Sequence, residues 1–145
     1  MQLNLSGNNL TGEIPASISH GSHLTFIDLS RNKLDGAIPK SVSKLENLNL
    51  LNLSRNQLDG AIPGEIVLMK SLTMLDLSYN NFSGRRPTTG LLGILDDRFF
   101  VGNPNLCKGD SCSLPSRQSS NSDGKRLSTK IMIFVIMFTL FLCSP

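Results

Sequence analysis

The stretch Ile27-Asp28-Leu29-Ser30-Arg31-Asn32-Lys33-Leu34-Asp35-Gly36-Ala37-Ile38-Pro39 decides how this chain folds. Its pattern recurs at a constant step. Leu5, Leu29, Leu53 and Leu77 lie 24 residues apart, as do Asn8, Asn32, Asn56 and Asn80. Gly12, Gly36, Gly60 and Gly84 keep the same step, and so do Pro15, Pro39, Pro63 and Pro87. Four columns in one register do not arise from composition, so the chain is an array of stacked units. A single unit cannot bury its own apolar face, and the coils must therefore stack.

Each column has a physical reason. A short strand at residues 27–29 alternates inward and outward side chains, placing Ile27, Leu29 and Leu34 inside the coil. The Asn amide satisfies backbone groups at the following bend. Gly tolerates the dihedrals of the next turn, and Pro fixes the extended segment after it. Ile18, Val42 and Ile66, with Leu24, Leu48 and Leu72, close the convex side. The unit L-x-L-S-x-N-x-L-x-G-x-I-P is identified as a leucine-rich repeat. The expected fold is an α/β solenoid with short parallel strands on its concave face, followed by a C-terminal cap, a disordered linker and a partial transmembrane helix.

The strict register predicts where the array ends. Beyond Pro87 the next apolar positions fall on Gly90, Gly93 and Asp96, and Arg86 replaces the Ile that precedes Pro in earlier units. Arg85-Arg86 reads as a solvated edge. Gly21 stands where Leu45 and Met69 stand, which predicts a local void. Met1 falls inside a strand with no apolar leader behind it, so no signal peptide is visible. With no N-terminal cap either, the expectation is an internal piece of a longer solenoid. Its expected divisions are repeats over 1–90, a cap over 91–114, a juxtamembrane linker over 115–129 and a truncated transmembrane helix over 130–143.

The G-x-I-P form of the repeat resembles that of plant leucine-rich-repeat receptors. The run Phe99-Phe100-Val101-Gly102-Asn103-Pro104-Asn105-Leu106-Cys107, followed by Cys112, is similar to their C-terminal cap. Together with Ile18-Ser19-His20 through Asp28-Leu29-Ser30-Arg31-Asn32, it resembles the CLAVATA class of receptor kinases. The resemblance implies an ectodomain at the plasma membrane that binds small secreted peptides. It further implies a co-receptor kinase docked laterally near the cap, and signalling in stem-cell restriction or nodule number.

Charge and cysteines fit that picture. The formal charge is +3, and residues 1–114 are neutral, so the excess sits in the tail on Arg117, Lys125, Arg126 and Lys130 against Asp123. This is too little and too local to indicate nucleic acid. Cys107 and Cys112 would close a short disulfide loop in a secreted protein and stay free thiols in a reducing cytosol. A zinc site lacks two further ligands. Asn4, Asn9, Asn52 and Asn81 begin N-x-[ST] sequons, the acceptors of N-glycosylation. Two of them, at Asn4 and Asn52, follow in part from the repeat motif itself. After Leu114 the chain turns Ser-rich and basic, as a linker does. Ile131–Cys143 is then an apolar run interrupted only by Thr139, shorter than the roughly 17 residues a helical span needs. It reads as an unfinished membrane segment.

Outward strand positions form the candidate binding surface. Gln2, Phe26, Leu50 and Met74 make one column, Asn4, Asp28, Asn52 and Asp76 a second, and Ser6, Ser30, Ser54 and Ser78 a third. Phe26, Leu50 and Met74 give an apolar strip. Arg31 and Arg55 flank it and can meet a peptide carboxylate, while Asp28 and Asp76 complete the peptide-binding candidates. A glycan on Asn52 would sit in the middle of that face. No catalytic, cofactor or metal motif is present: there is no G-x-G-x-x-G, H-R-D, D-F-G or Walker loop. His20 and His23 read as surface residues. The expectation is a non-catalytic recognition module, or else a structural interaction solenoid without signalling activity of its own.

Overall fold

The computed structural model describes residues 1–108. Cys112, the linker over 115–129 and the apolar run over 131–143 lie outside the described residues. Four strands, β1 (Gln2–Asn4), β3 (Phe26–Asp28), β5 (Leu50–Asn52) and β6 (Met74–Asp76), form one parallel sheet in the order β1-β3-β5-β6. Their register follows the repeat: Gln2 pairs with Phe26, Phe26 with Leu50, and Leu50 with Met74. The strand of the second coil starts one residue earlier than the spacing predicts. Its ladder nevertheless runs on, since the Leu29 amide donates to the Asn52 carbonyl at 2.9 Å.

The return path is not α-helical in these coils, which corrects the α/β expectation. Five-residue 3₁₀ turns at Ala16–His20, Lys40–Lys44 and Gly64–Leu68 each follow a proline with φ near −70°, −67° and −59°. A 3₁₀ turn rises about 2.0 Å per residue against 1.5 Å for an α-helix. A short return segment therefore crosses the convex side with fewer residues. Each turn buries one β-branched residue, Ile18, Val42 or Ile66. Among the described residues the single α-helix is α1 (Gly90–Ile94).

A second parallel ladder, which the sequence pattern did not predict, runs down the flank. β2 (Thr11–Glu13) pairs with β4 (Lys33–Asp35), bridges join Ala37 to Asp59 and Ala61 to Ser83, and β7 (Ser83–Arg85) pairs with β8 (Asn105–Cys107). It follows the Gly column, whose φ values at Gly12, Gly36, Gly60 and Gly84 are all positive. Between the two ladders lies the core, with Ile27, Leu48, Leu58, Leu75, Leu77 and Phe82 fully buried.

The Asn column ties coil to coil. Asn80 Nδ2 donates to the carbonyls of Leu53, Leu77 and Ser78 at 3.0–3.3 Å, and its Oδ1 accepts from the Leu58 amide at 3.1 Å. Asn56 and Asn32 repeat this arrangement one and two coils earlier. Buried peptide groups at each bend thus find partners in a place water does not reach.

Two sequence expectations fail inside the array. The void at Gly21 is absent: a Cβ placed there would run into the Leu24 side chain and lie 3.3 Å from the Ile18 carbonyl oxygen. Leu24 has moved into the space that a larger residue fills in the next coils. The Ser column is not a surface either, because Ser30, Ser54 and Ser78 are buried.

The ladder also continues beyond Pro87. Asn103 Nδ2 donates to the carbonyls of Leu77 and Phe100, and its Oδ1 accepts from the Phe82 amide at 3.0 Å. Asn103 lies 23 residues after Asn80, one short of the regular step. Gly90, Gly93 and Asp96 are exposed, while Leu92 and Phe100 fill the core in their stead. Arg86 is 5% exposed and not a solvated edge. Its guanidinium donates to Asp97 Oδ1 (2.7 Å) and to the carbonyls of Leu92 (2.7 Å) and Leu95 (2.8 Å). It also lies 3.7 Å from the centroid of the Phe100 ring.

Candidate recognition surface

The concave sheet brings the predicted columns together as a surface. Phe26 and Leu50 are half-buried and Met74 is 45% exposed, side by side across three paired strands.

The polar column beside it is locked, not merely solvated. Oδ1 of Asp28 accepts from the Ser30 amide and Oδ1 of Asp76 from the Ser78 amide, each at 2.9 Å. Oδ1 of Asn52 accepts from the amide (3.1 Å) and hydroxyl (2.8 Å) of Ser54, and Asn4 holds Ser6 in the same way. These turns just past each strand fix the side chains in one rotamer. Asn52 Nδ2 also donates to Asp28 Oδ2 at 3.3 Å. Both carboxylate oxygens of Asp28 are therefore engaged within the face.

Arg31 and Arg55 are exposed and stand in a left-handed backbone conformation, with φ of 55° and 56°. Tyr79 shares it at 55°, and Gly7 and Gly102 take the two flanking positions of the same column. This second positive-φ column went unread in the sequence. Its signal was the pair of glycines in register with two arginines and a tyrosine. Arg55 is not a free arm, because its guanidinium stacks 4.4 Å from the Tyr79 ring centroid.

The face extends one coil further than the spacing predicts. The Leu77 amide donates to the Phe99 carbonyl (2.9 Å) and the Tyr79 amide to that of Val101 (2.7 Å). Phe99 and Val101 thus continue the columns of Asp76 and Ser78. Tyr79 is 47% and Val101 49% exposed, and Arg98 stacks 4.8 Å from the Phe99 ring centroid. Phe99, at the end of the 3₁₀ turn Asp97–Phe99, and Val101 flank the buried Phe100, and their place in the columns is visible in the sequence once the step is shortened.

At the same end, Lys108 and then Arg86 hold the Asp97 carboxyl below its ordinary range. Glu65 is likewise lowered, first by a backbone hydrogen bond and then by Lys40. Cys107 is disulfide-bonded. Of the four sequons, Asn4, Asn9 and Asn81 are exposed and Asn52 is half-buried. His20 and His23 are exposed on the convex side. Among the described residues no group of His, Cys, Asp and Glu can hold a metal ion, and no helix is long and apolar enough to cross a membrane.

Residues 22–82 match the family described as Leucine rich repeat, and residues 1–20 match a second Leucine Rich Repeat family. Comparison with curated proteins finds no match. Among solved structures, the BIR2 ectodomain from Arabidopsis thaliana is similar at 35% identity and a TM-score of 0.67, over 72% of this chain and 55% of that one. A chain of the Arabidopsis BIR3–SERK2 complex is similar at 40% identity and a TM-score of 0.70, over 77% and 58%. The Arabidopsis receptor kinase HAESA ectodomain, in complex with an N-terminally extended IDA peptide hormone, is similar at 40% and 0.66, over 76% and 18%. This chain spans less than two thirds of each of these relatives. It is a solenoid of leucine-rich repeats, and its structural neighbours are the ectodomains of plant receptor kinases.

Proposed function

We propose that this chain is a non-catalytic recognition module, part of a plant plasma-membrane receptor-kinase ectodomain, that binds an extended secreted peptide along its concave sheet. By repeat and cap motif it is most like the CLAVATA class. The single observation that carries this reading is the open apolar row Phe26, Leu50 and Met74, in strand register beside a locked polar column. An extended chain laid across parallel strands meets such a row with alternate side chains. The similarity to HAESA in complex with a peptide hormone supports the same mode. Residues 131–143 would provide the membrane attachment.

A second reading has support of its own. Similarity to a chain of the BIR3–SERK2 complex favours contact between two ectodomains, with the Tyr79, Phe99 and Val101 end as the contact. A structural interaction protein without signalling activity uses the same face.

The test is an array of synthetic peptides, each with a free or amidated C terminus, probed with the full chain. Leu50→Arg is expected to weaken captured peptides at least tenfold with an unchanged melting temperature, since Leu50 is only half-buried. Arg31→Ala/Arg55→Ala is expected to erase the preference for a free carboxylate. Unchanged binding by Leu50→Arg would defeat the concave reading. Capture of an isolated co-receptor ectodomain but of no peptide would favour the second.

A further inference from the structure

The four sequons do not lie on one face, and their local bonding divides them into two pairs. Asn4 and Asn52 belong to the concave column. In each, the Asn side-chain oxygen is bonded to the hydroxyl of its own sequon serine, at 2.7 Å to Ser6 and 2.8 Å to Ser54. Asn52 is also half-buried, Ser54 is buried, and the Asn52 amide nitrogen is engaged by Asp28.

Asn9 and Asn81 belong instead to the flank. They share one column with Lys33 and Gln57, and all four residues are exposed. Among the described residues the Asn9 side chain makes no hydrogen bond. That of Asn81 accepts one long bond at 3.4 Å from Asn105 through its oxygen, which leaves its nitrogen open. The hydroxyls of Thr11 and Ser83 are not turned back onto their asparagines. Three coils separate the two sites, about 14 Å at the spacing of paired strands.

N-glycosylation joins the asparagine Nδ2 to C1 of an oligosaccharide carried on a lipid pyrophosphate. The N–C1 bond forms, the C1–O bond breaks, lipid pyrophosphate leaves with the electron pair, and one amide proton is released. The step needs the amide nitrogen and the sequon hydroxyl presented together. A local bond that ties this hydroxyl to the amide oxygen competes with it as soon as the turn forms. The concave pair carries that competing bond, and the flank pair does not.

We propose that Asn9 and Asn81 are the N-glycosylated residues of this chain, so that the flank beside the second ladder is sugar-covered while the concave sheet stays bare. The proposal rests on the extracellular reading, because only the secretory lumen supplies the lipid-linked donor. It removes the conflict between a sequon at Asn52 and a binding strip at Leu50.

The experiment expresses the full chain in plant cells behind an added secretory leader, with an appended acceptor sequon that reports entry into the lumen. Tryptic peptides are deglycosylated with peptide-N-glycosidase A in heavy-oxygen water, so that each occupied Asn becomes a labelled Asp. Label at Asn9 and Asn81 and at neither Asn4 nor Asn52 is the expected result. Asn9→Gln and Asn81→Gln should each remove one glycan step on a gel, and Asn52→Gln none. Label at Asn52 or Asn4, or an occupied reporter with Asn9 or Asn81 unlabelled, overturns the proposal. The leader separates this outcome from the extracellular reading itself, which fails instead if the array finds no binding by the concave face.

Discussion

In the interior coils the residue before the proline is an isoleucine sealed in the core, Ile38 or Ile62; in the last described coil the same column holds Arg86, equally buried. The interior position faces another coil of identical shape, so a β-branched hydrocarbon fills it, and the peptide groups nearby bond from coil to coil along the flank ladder, the Asp59 amide to the Gly36 carbonyl and the Ser83 amide to the Gly60 carbonyl. Arg86 faces α1 and the turn after it, where the carbonyls of Leu92 and Leu95 find no Asn. One guanidinium serves both, stacks on Phe100 and reaches Asp97 at the surface. The same column thus does two jobs. Stacking on a like neighbour asks for shape, and closing against an irregular segment asks for donors.

Exchanging the two residues breaks this comparison most severely. Ile62→Arg puts a charge where no acceptor waits, a loss of about 3–5 kcal/mol, and a melt should show the coils unfolding at much lower temperature. The reverse exchange, Arg86→Ile, leaves the buried Leu92 carbonyl and the part-buried Leu95 carbonyl unbonded. A loss of about 2–4 kcal/mol is expected at the C-terminal end, with the exchange protection of the Gln2–Asn4 and Phe26–Asp28 strands little changed. If Arg86→Ile were as stable as the parent, the donor role would be wrong.

Gly21 sharpens the comparison within the interior. Its neighbours in register are Leu45 and Met69, which invites Gly21→Leu as a repair. Because Leu24 already occupies the space, the substitution overpacks the coil and should cost about 1–3 kcal/mol in thermal denaturation. A gain would restore the void that the register predicts.

The smallest effect is on pH. Asp97 has a lowered pKa in the folded chain, so its contribution is present above the unfolded value of about 3.9 and disappears as pH falls through the lower folded value. Urea midpoints measured downward from pH 5 should fall more steeply for the parent than for Asp97→Asn. Parallel curves would remove Asp97 from the closure.

These contrasts show what the sequence makes legible. The interior coils were readable because each column has one chemical demand and a constant step. The last coil was not, since Asn103 comes one residue early and shifts every later column; a strict count therefore lands on Gly90, Gly93 and Asp96. Gly21 misled for another reason. A side chain that slides into its neighbour's space leaves no trace in a pattern of residue types. On the concave face the columns of Phe26 and Asp28 were legible from alternation alone. The stack of Arg55 on Tyr79 and the added rung at Phe99 and Val101 depend on a left-handed column and a shortened step, which alternation does not reveal.

The central claim is that recognition occurs on the concave sheet. Hydrogen–deuterium exchange of the full chain, with and without a peptide selected on the array, tests it most directly. Added protection at Phe26–Asp28, Leu50–Asn52 and Met74–Asp76, with the convex turns Lys40–Lys44 and Gly64–Leu68 unchanged, is the predicted result. Protection confined to the convex turns would contradict it.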